Sequence, residues 1–204
     1  MSDDAPQLYL ISPPQITPET FPEDLARLLD AAPVACLRLD LTSRDADTLL
    51  RACDAARAVT EPRDVALVLR DATEIAQRAG VDGVHLSGGA RHVRAARKTL
   101  GADAIVGAFC GASRHDGMNA GESGADYVSF GPVGGAAPAE GTLADDELFA
   151  WWSEMIELPV VAEGGLSEDR IAALSPVSDF IALGEEVWSA DDPAARLAQL
   201  HALF

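Results

Sequence analysis

Short apolar runs alternate with amphipathic stretches along the chain. The first run is 7–12 (QLYLIS), followed by 22–32, where Leu25, Leu28 and Leu29 recur at helical spacing. Runs at 35–41, 65–70 and 83–87 each precede a helical pattern, at 45–59, 72–79 and 91–100. The second half keeps step: runs at 104–109, 126–131, 159–163 and 179–184, with helices over 114–123, 145–156, 167–174 and 192–203. The pattern therefore predicts eight strands and eight helices in strict alternation. Each strand is almost wholly apolar, as parallel strands covered by helices on their outer side must be. Right-handed crossovers and units of equal size favour closure into a (β/α)8 TIM barrel filling 1–204 as one domain. The competing arrangement is an open, doubly wound sheet. It lacks support at the first turn, where Pro13-Pro14-Gln15 stands in place of a glycine-rich dinucleotide loop.

Helix starts carry their own signals. Asp145, Ser167 and Asp192 stand at cap positions, the first two followed by acids and the last by Pro193.

Composition narrows the function classes. At 48% hydrophobic residues the chain has enough apolar surface for a full core. The formal net charge of −18 opposes phosphate backbones and anionic lipid, so neither nucleic acid nor membrane is expected as a partner. Cys36, Cys53 and Cys110 form no CxxC pair, which argues against a disulfide framework and a zinc site. With no apolar run approaching a membrane span and an acidic start to the chain, a cytoplasmic protein is expected. Its expected partner is a small-molecule substrate or ligand, with a homo-oligomer left open.

In a TIM barrel the chemistry gathers at the C-terminal ends of the strands. The candidates there are Ser12, Arg38 with Asp40, Arg70 with Asp71, Ser87, Cys110, Glu163 with Gly164-Gly165, and Gly184-Glu185-Glu186. Arg38 is a guanidinium inside a buried run, so it needs a carboxylate or a phosphate, with Asp40 or Asp71 nearest in sequence. Arg70-Asp71 reads either as a salt-bridged strand end or as a metal and phosphate contact. Gly164-Gly165 and Gly184 follow the last two strands, where such barrels often hold phosphate. They read equally as tight-turn glycines, and Glu185 and Glu163 place carboxylates beside them. His85 lies in an apolar strand and reads as a buried, hydrogen-bonded residue rather than a catalytic one. His115 sits at a helix start, and the tryptophans read as packing residues. No nucleophile elbow, P-loop, HExxH or EF-hand pattern occurs.

Four segments carry a resemblance: Leu8-Tyr9-Leu10-Ile11, GVDGVHLSGG over 80–89, GADYVSFGPV over 124–133, and PVVAEGGLSEDRIAAL over 159–174. In order and spacing they resemble the thiamine phosphate synthase/TenI family over nearly the whole chain. The resemblance implies a TIM barrel of thiamine biosynthesis. Its reaction joins a pyrimidine pyrophosphate to a thiazole phosphate with Mg2+ assistance, and TenI-type members instead tautomerise the thiazole phosphate. It assigns Arg38 and Asp71 as catalytic residues and Asp71 as the Mg2+ contact. Gly164, Gly165, Gly184 and Cys110 fall to substrate and phosphate binding. Several family positions differ here. The family's Gln-x-Arg-x-Lys reads Cys36-Leu37-Arg38-Leu39-Asp40, and its Gly-Gln-Glu-Asp, with the second metal carboxylate, reads Ser87-Gly88-Gly89-Ala90. The TenI-type histidine position reads Gly111. The Thr-x-Thr-Lys loop falls within 134–142 and contains no lysine, only Thr142. A serine-bearing phosphate loop reads Gly184-Glu185-Glu186. The alternative expectation is a non-catalytic family member that binds another small ligand in an acidic mouth.

Overall fold

The computed structural model describes residues 5–135 and 142–204. Eight parallel strands close in sequence order into a barrel: β1 (Gln7–Ile11), β2 (Val34–Leu39), β3 (Ala66–Arg70), β4 (Gly83–Leu86), β5 (Ile105–Phe109), β6 (Tyr127–Phe130), β7 (Val160–Glu163) and β8 (Phe180–Leu183). The ladder between β8 and β1 completes the circle, so the open-sheet alternative is ruled out. The helices are α1 (Phe21–Ala31), α2 (Ala46–Thr60), α3 (Thr73–Ala79), α4 (Val93–Leu100), α5 (Arg114–Glu122), α6 (Asp146–Met155), α7 (Glu168–Leu174), α8 (Glu185–Trp188) and α9 (Pro193–His201). The alternation read from the pattern is therefore present, with one addition. The single-turn α8 follows β8 directly, and its four residues are too few for periodicity to reveal.

The alternation of side chains along each strand divides two cores. Leu37, Val84, Phe130 and Leu183 face outward into the helical shell. There Phe130 stands edge-on to Trp152, ring centroids 4.9 Å apart. Tyr9, Cys36, Val68, Tyr127, Val161 and Ala182 fill the barrel itself. The caps behave as their residue types require: Asp145, Ser167 and Asp192 accept from the backbone N–H of Leu148, Arg170 and Ala195.

Three acids staple the N-terminal face. Asp82, Asp126 and Asp179 stand just before β4, β6 and β8, and each carboxylate accepts from a backbone N–H of the preceding strand: Leu67, Val106 and Val160, at 2.7, 2.7 and 2.8 Å. Part of the chain's negative charge is thus spent on strand register, at the face associated with stability rather than chemistry.

Candidate active site at the barrel mouth

Strand tilt and stagger set which inward side chains share a level. In this barrel class the stagger is about one residue per strand crossed. Applied to the ladder register, it puts Arg38, His85, Ser129 and Ala182 in one layer, from β2, β4, β6 and β8. Ile11, Arg70, Phe109 and Glu163 form the layer above, from the other four strands. Tyr9, Val68, Gly107 and Val161 form the layer below.

The lower interior is neutral. Tyr127 rises through space that Gly107 leaves open, where an added Cβ would lie 2.0 Å from the ring carbon that bears the hydroxyl. The Tyr127 hydroxyl reaches Tyr9 Oη at 2.8 Å and His85 Nδ1 at 2.9 Å. Burial pushes both phenols up, and it pushes His85 well below the ordinary imidazole value, with Arg38 and Arg70 adding to the shift. His85 is therefore a neutral, hydrogen-bonded core residue, as its apolar strand suggested.

The mouth above is charged. Arg38 is 4% exposed. Its two terminal nitrogens grip Glu163 in a fork, Nη1 to Oε2 at 2.8 Å and Nη2 to Oε1 at 3.3 Å. Nη2 also lies 3.1 Å from Asp40 Oδ2. Burial disfavours the guanidinium charge, but the carboxylates of Glu163 and Asp40 outweigh it and hold Arg38 protonated. The partner of Arg38 is thus mainly Glu163, 125 residues away, with Asp40 second. Asp71 turns aside. Its backbone has φ 57°, and its carboxylate accepts from Ser87 N at 2.8 Å and Ser87 Oγ at 2.6 Å. Arg70 bridges the two aspartates, with Nη1 2.5 Å from Asp40 and Nε 3.4 Å from Asp71. The chain of charges Glu163–Arg38–Asp40–Arg70–Asp71 thus crosses one side of the mouth.

The β7 and β8 turns form the other side. Gly164 and Gly165 have φ 82° and 71°, a region that favours glycine, and an added Cβ on Gly165 would lie 2.4 Å from the Gly134 carbonyl oxygen. Two backbone N–H groups converge here, and both donate to Glu186: Leu166 N to Oε1 and Gly184 N to Oε2, each 3.0 Å. The carboxylate in the cradle is therefore Glu186, while Glu185 faces solvent. Glu163, flagged with it in the sequence, pairs instead with Arg38.

Cys110, just past the end of β5, packs outward into the helical shell and not toward the mouth. It is buried, and burial pushes its thiol up to about 12, so it packs rather than reacts. His115 is exposed on α5 and pairs with Asn119. Residues 136–141 of the loop compared with the family's Thr-x-Thr-Lys segment lie outside the described residues; Thr142 is exposed.

The Mg2+ implied by the resemblance finds few ligands. Both Asp71 oxygens are taken by Ser87. Among the described residues no group of three or more His, Cys, Asp or Glu side chains is placed to hold a metal. Asp71 supplies one carboxylate, so the described side chains alone do not complete an octahedral Mg2+ shell, whose other oxygens would come from water or substrate.

A family model for thiamine monophosphate synthase (TMP-TENI) matches residues 8–187. The chain belongs to this family. A thiamine-phosphate synthase of Rhodospirillum centenum is 44% identical over 200 residues, covering 96% of each chain. One of Hyphomonas neptunium is 40% identical, covering 97% of this chain and 93% of the relative. A solved thiamine phosphate pyrophosphorylase of Pyrococcus furiosus superposes with a TM-score of 0.84 at 23% identity, covering 97% and 94%, which supports the fold. The family is one of thiamine biosynthesis. Among the described residues no helix is long and apolar enough to cross a membrane.

Sequence reasoning missed two members of this site and left a third unresolved. Tyr127 and Tyr9 lie in strands read only as apolar runs, although a tyrosine at an inward strand position needs a partner for its hydroxyl. Glu186 was grouped with Glu185, and only the turn of α8 separates their directions.

Proposed function

We propose that the protein condenses a pyrimidine carrying a methylene-linked pyrophosphate with a thiazole, releasing inorganic pyrophosphate, at the mouth of the barrel. The observation that supports this reading is Arg38. It is a buried, permanently charged fork at the end of β2, in a chain 44% identical to a thiamine-phosphate synthase along its length.

The chemistry asks for charge stabilisation more than proton transfer. The C–O bond to pyrophosphate breaks and its electron pair leaves with the pyrophosphate. The lone pair of the thiazole ring nitrogen forms the new C–N bond. Arg38 suits the leaving group, because its planar fork binds two oxyanion oxygens at once. To do so it exchanges Glu163 for the incoming anion, while Asp40 keeps its orientation. Asp71 acts through Ser87, fixing the loop that follows β4. Gly164, Gly165 and Gly184 bring the last two turns close to the substrate. The neutral floor of Tyr9, Tyr127 and His85 offers a water-poor base against which a heterocycle can lie.

A second reading has a specific observation behind it. Arg38 is already neutralised by Glu163, and the cradle amides are already taken by Glu186. A mouth so paired suits a neutral or cationic ligand held without turnover.

Mass spectrometry separates the two. Purified protein is given the pyrimidine pyrophosphate, the thiazole as both phosphate and alcohol, and buffer Mg2+. Coupled product above the no-enzyme rate, lost in Arg38→Gln, supports condensation. No product from either thiazole, beside an active family member, sinks condensation and leaves ligand binding.

A further inference from the structure

We infer that Ser129 is a specificity residue: its hydroxyl reads the polar edge of an aminopyrimidine, beside Nε of Arg38. This deepens the condensation reading and rests on it for the identity of the ring.

Buried polar groups carry hydrogen bonds as a rule, and each exception asks for an explanation. Among the described residues four shielded side-chain atoms have no partner in the protein: Arg38 Nε, Ser129 Oγ, Arg170 Nε and Ser178 Oγ. Arg170 and Ser178 are half-buried and lie in α7 and in the turn before β8. Arg38 and Ser129 are 4% and 0% exposed, and both point into the barrel at one level, under the mouth. Two unpaired groups in one interior layer mark a place for a polar guest.

The ladder register brings them to the same side. Ser129 pairs with Val161 across β6 and β7, and Glu163 is the next inward residue on β7. Arg38 reaches from β2 to Glu163, Nη1 to Oε2 at 2.8 Å, so its guanidinium lies toward the strands where Ser129 stands. Its Nη groups serve Glu163 and Asp40, which leaves Nε as the unused donor. Ala182, also in this layer, takes up little space beside them.

When Arg38 takes the leaving group in place of Glu163, that carboxylate withdraws. The ring follows, because a single methylene joins it to the pyrophosphate. Nε only donates, so it meets a ring nitrogen. A hydroxyl both donates and accepts, so Ser129 accepts from an amine on the adjacent ring carbon. Together they match an edge with one acceptor beside one donor, which is the edge an aminopyrimidine presents.

The test measures binding without turnover. Full-length protein, with Mg2+ and no thiazole, is titrated calorimetrically with the aminopyrimidine pyrophosphate and with its analogue carrying hydrogen in place of the amine. Unmodified protein is expected to bind the amine about tenfold tighter. Ser129→Ala is expected to bring that ratio close to one, with affinity for the analogue unchanged. Ser129→Gly is carried in parallel, and circular dichroism checks the fold of each variant. A preference that survives in both variants overturns the inference. So does equal weakening of both ligands, which would make the hydroxyl structural, and so does equal binding or no binding by the unmodified protein. The condensation reading is scored separately by coupled product. Product with an unmoved ratio keeps that reading and sinks this inference; a moved ratio without product does the reverse.

Discussion

The lower interior and the mouth of this barrel are both buried and both polar, yet they solve burial differently. Around Gly107 the polar groups are neutral: two phenols and an imidazole share hydrogen bonds and carry no charge. Beside them, Arg38 keeps its charge, and the chain provides Glu163 and Asp40 to match it. Depth alone does not separate them, since Arg38 and His85 occupy the same layer. The difference lies in chemistry. An imidazole escapes the desolvation cost by losing its proton, whereas a guanidinium cannot and must bring partners. A buried group that cannot discharge is therefore a marker of the site, and one that can is a marker of the core.

Substitutions can break this contrast. The largest effect is expected at the mouth. Glu163→Ala leaves Arg38 buried with Asp40 alone and should cost about 3–5 kcal/mol in chemical denaturation, with Glu163→Gln costing less. An equal loss in both variants would show that the charge of Glu163 contributes nothing. Next comes the floor. Gly107→Ala forces its Cβ against Tyr127 and should cost about 1–3 kcal/mol, with a near-ultraviolet circular dichroism change from the displaced ring. Tyr127→Phe strips Tyr9 and His85 of their shared partner and should cost about 1–2 kcal/mol. No loss there would mean that the two groups find other partners.

The smallest effect is a pH dependence. The folded His85 pKa lies well below its unfolded value of about 6.5. Its contribution is fully present above pH 6.5 and is lost as pH falls through that range toward the folded pKa, because the unfolded chain takes up the proton first. One such proton gives a slope of at most about 1.4 kcal/mol per pH unit. Urea midpoints at pH 7, 6 and 5 should therefore fall more steeply for the unmodified protein than for His85→Gln. Parallel curves would mean that His85 is not the titrating group.

Much of the fold was legible in the chain. Eight apolar runs and eight amphipathic stretches suffice for the alternation, since strand and helix periods are local. The caps at Asp145, Ser167 and Asp192 were readable for the same reason. The site was legible in part. Arg38 stood out as a charge in an apolar run, and His85 read correctly as core. Asp40 followed from sequence proximity, but the main partner of Arg38 did not, because barrel closure brings β7 across to β2. Asp126 and Asp179 read as strand starts, yet their carboxylates tie neighbouring strands together, a role set by what lies beside them.

By itself, the sequence determined the alternation of elements, the parallel sheet, the barrel as its closure, and the charge that every contact must accommodate. These follow from periodicity and composition, which act over a few residues at a time. Only the tertiary structure decided which charges meet. Glu163 on Arg38, Asp71 on Ser87 and Glu186 in the cradle of Leu166 and Gly184 depend on strand stagger and on the single turn of α8. Electrostatic partners are chosen by distance in space, and in a closed barrel that distance is fixed by the ladder register, not by separation along the chain.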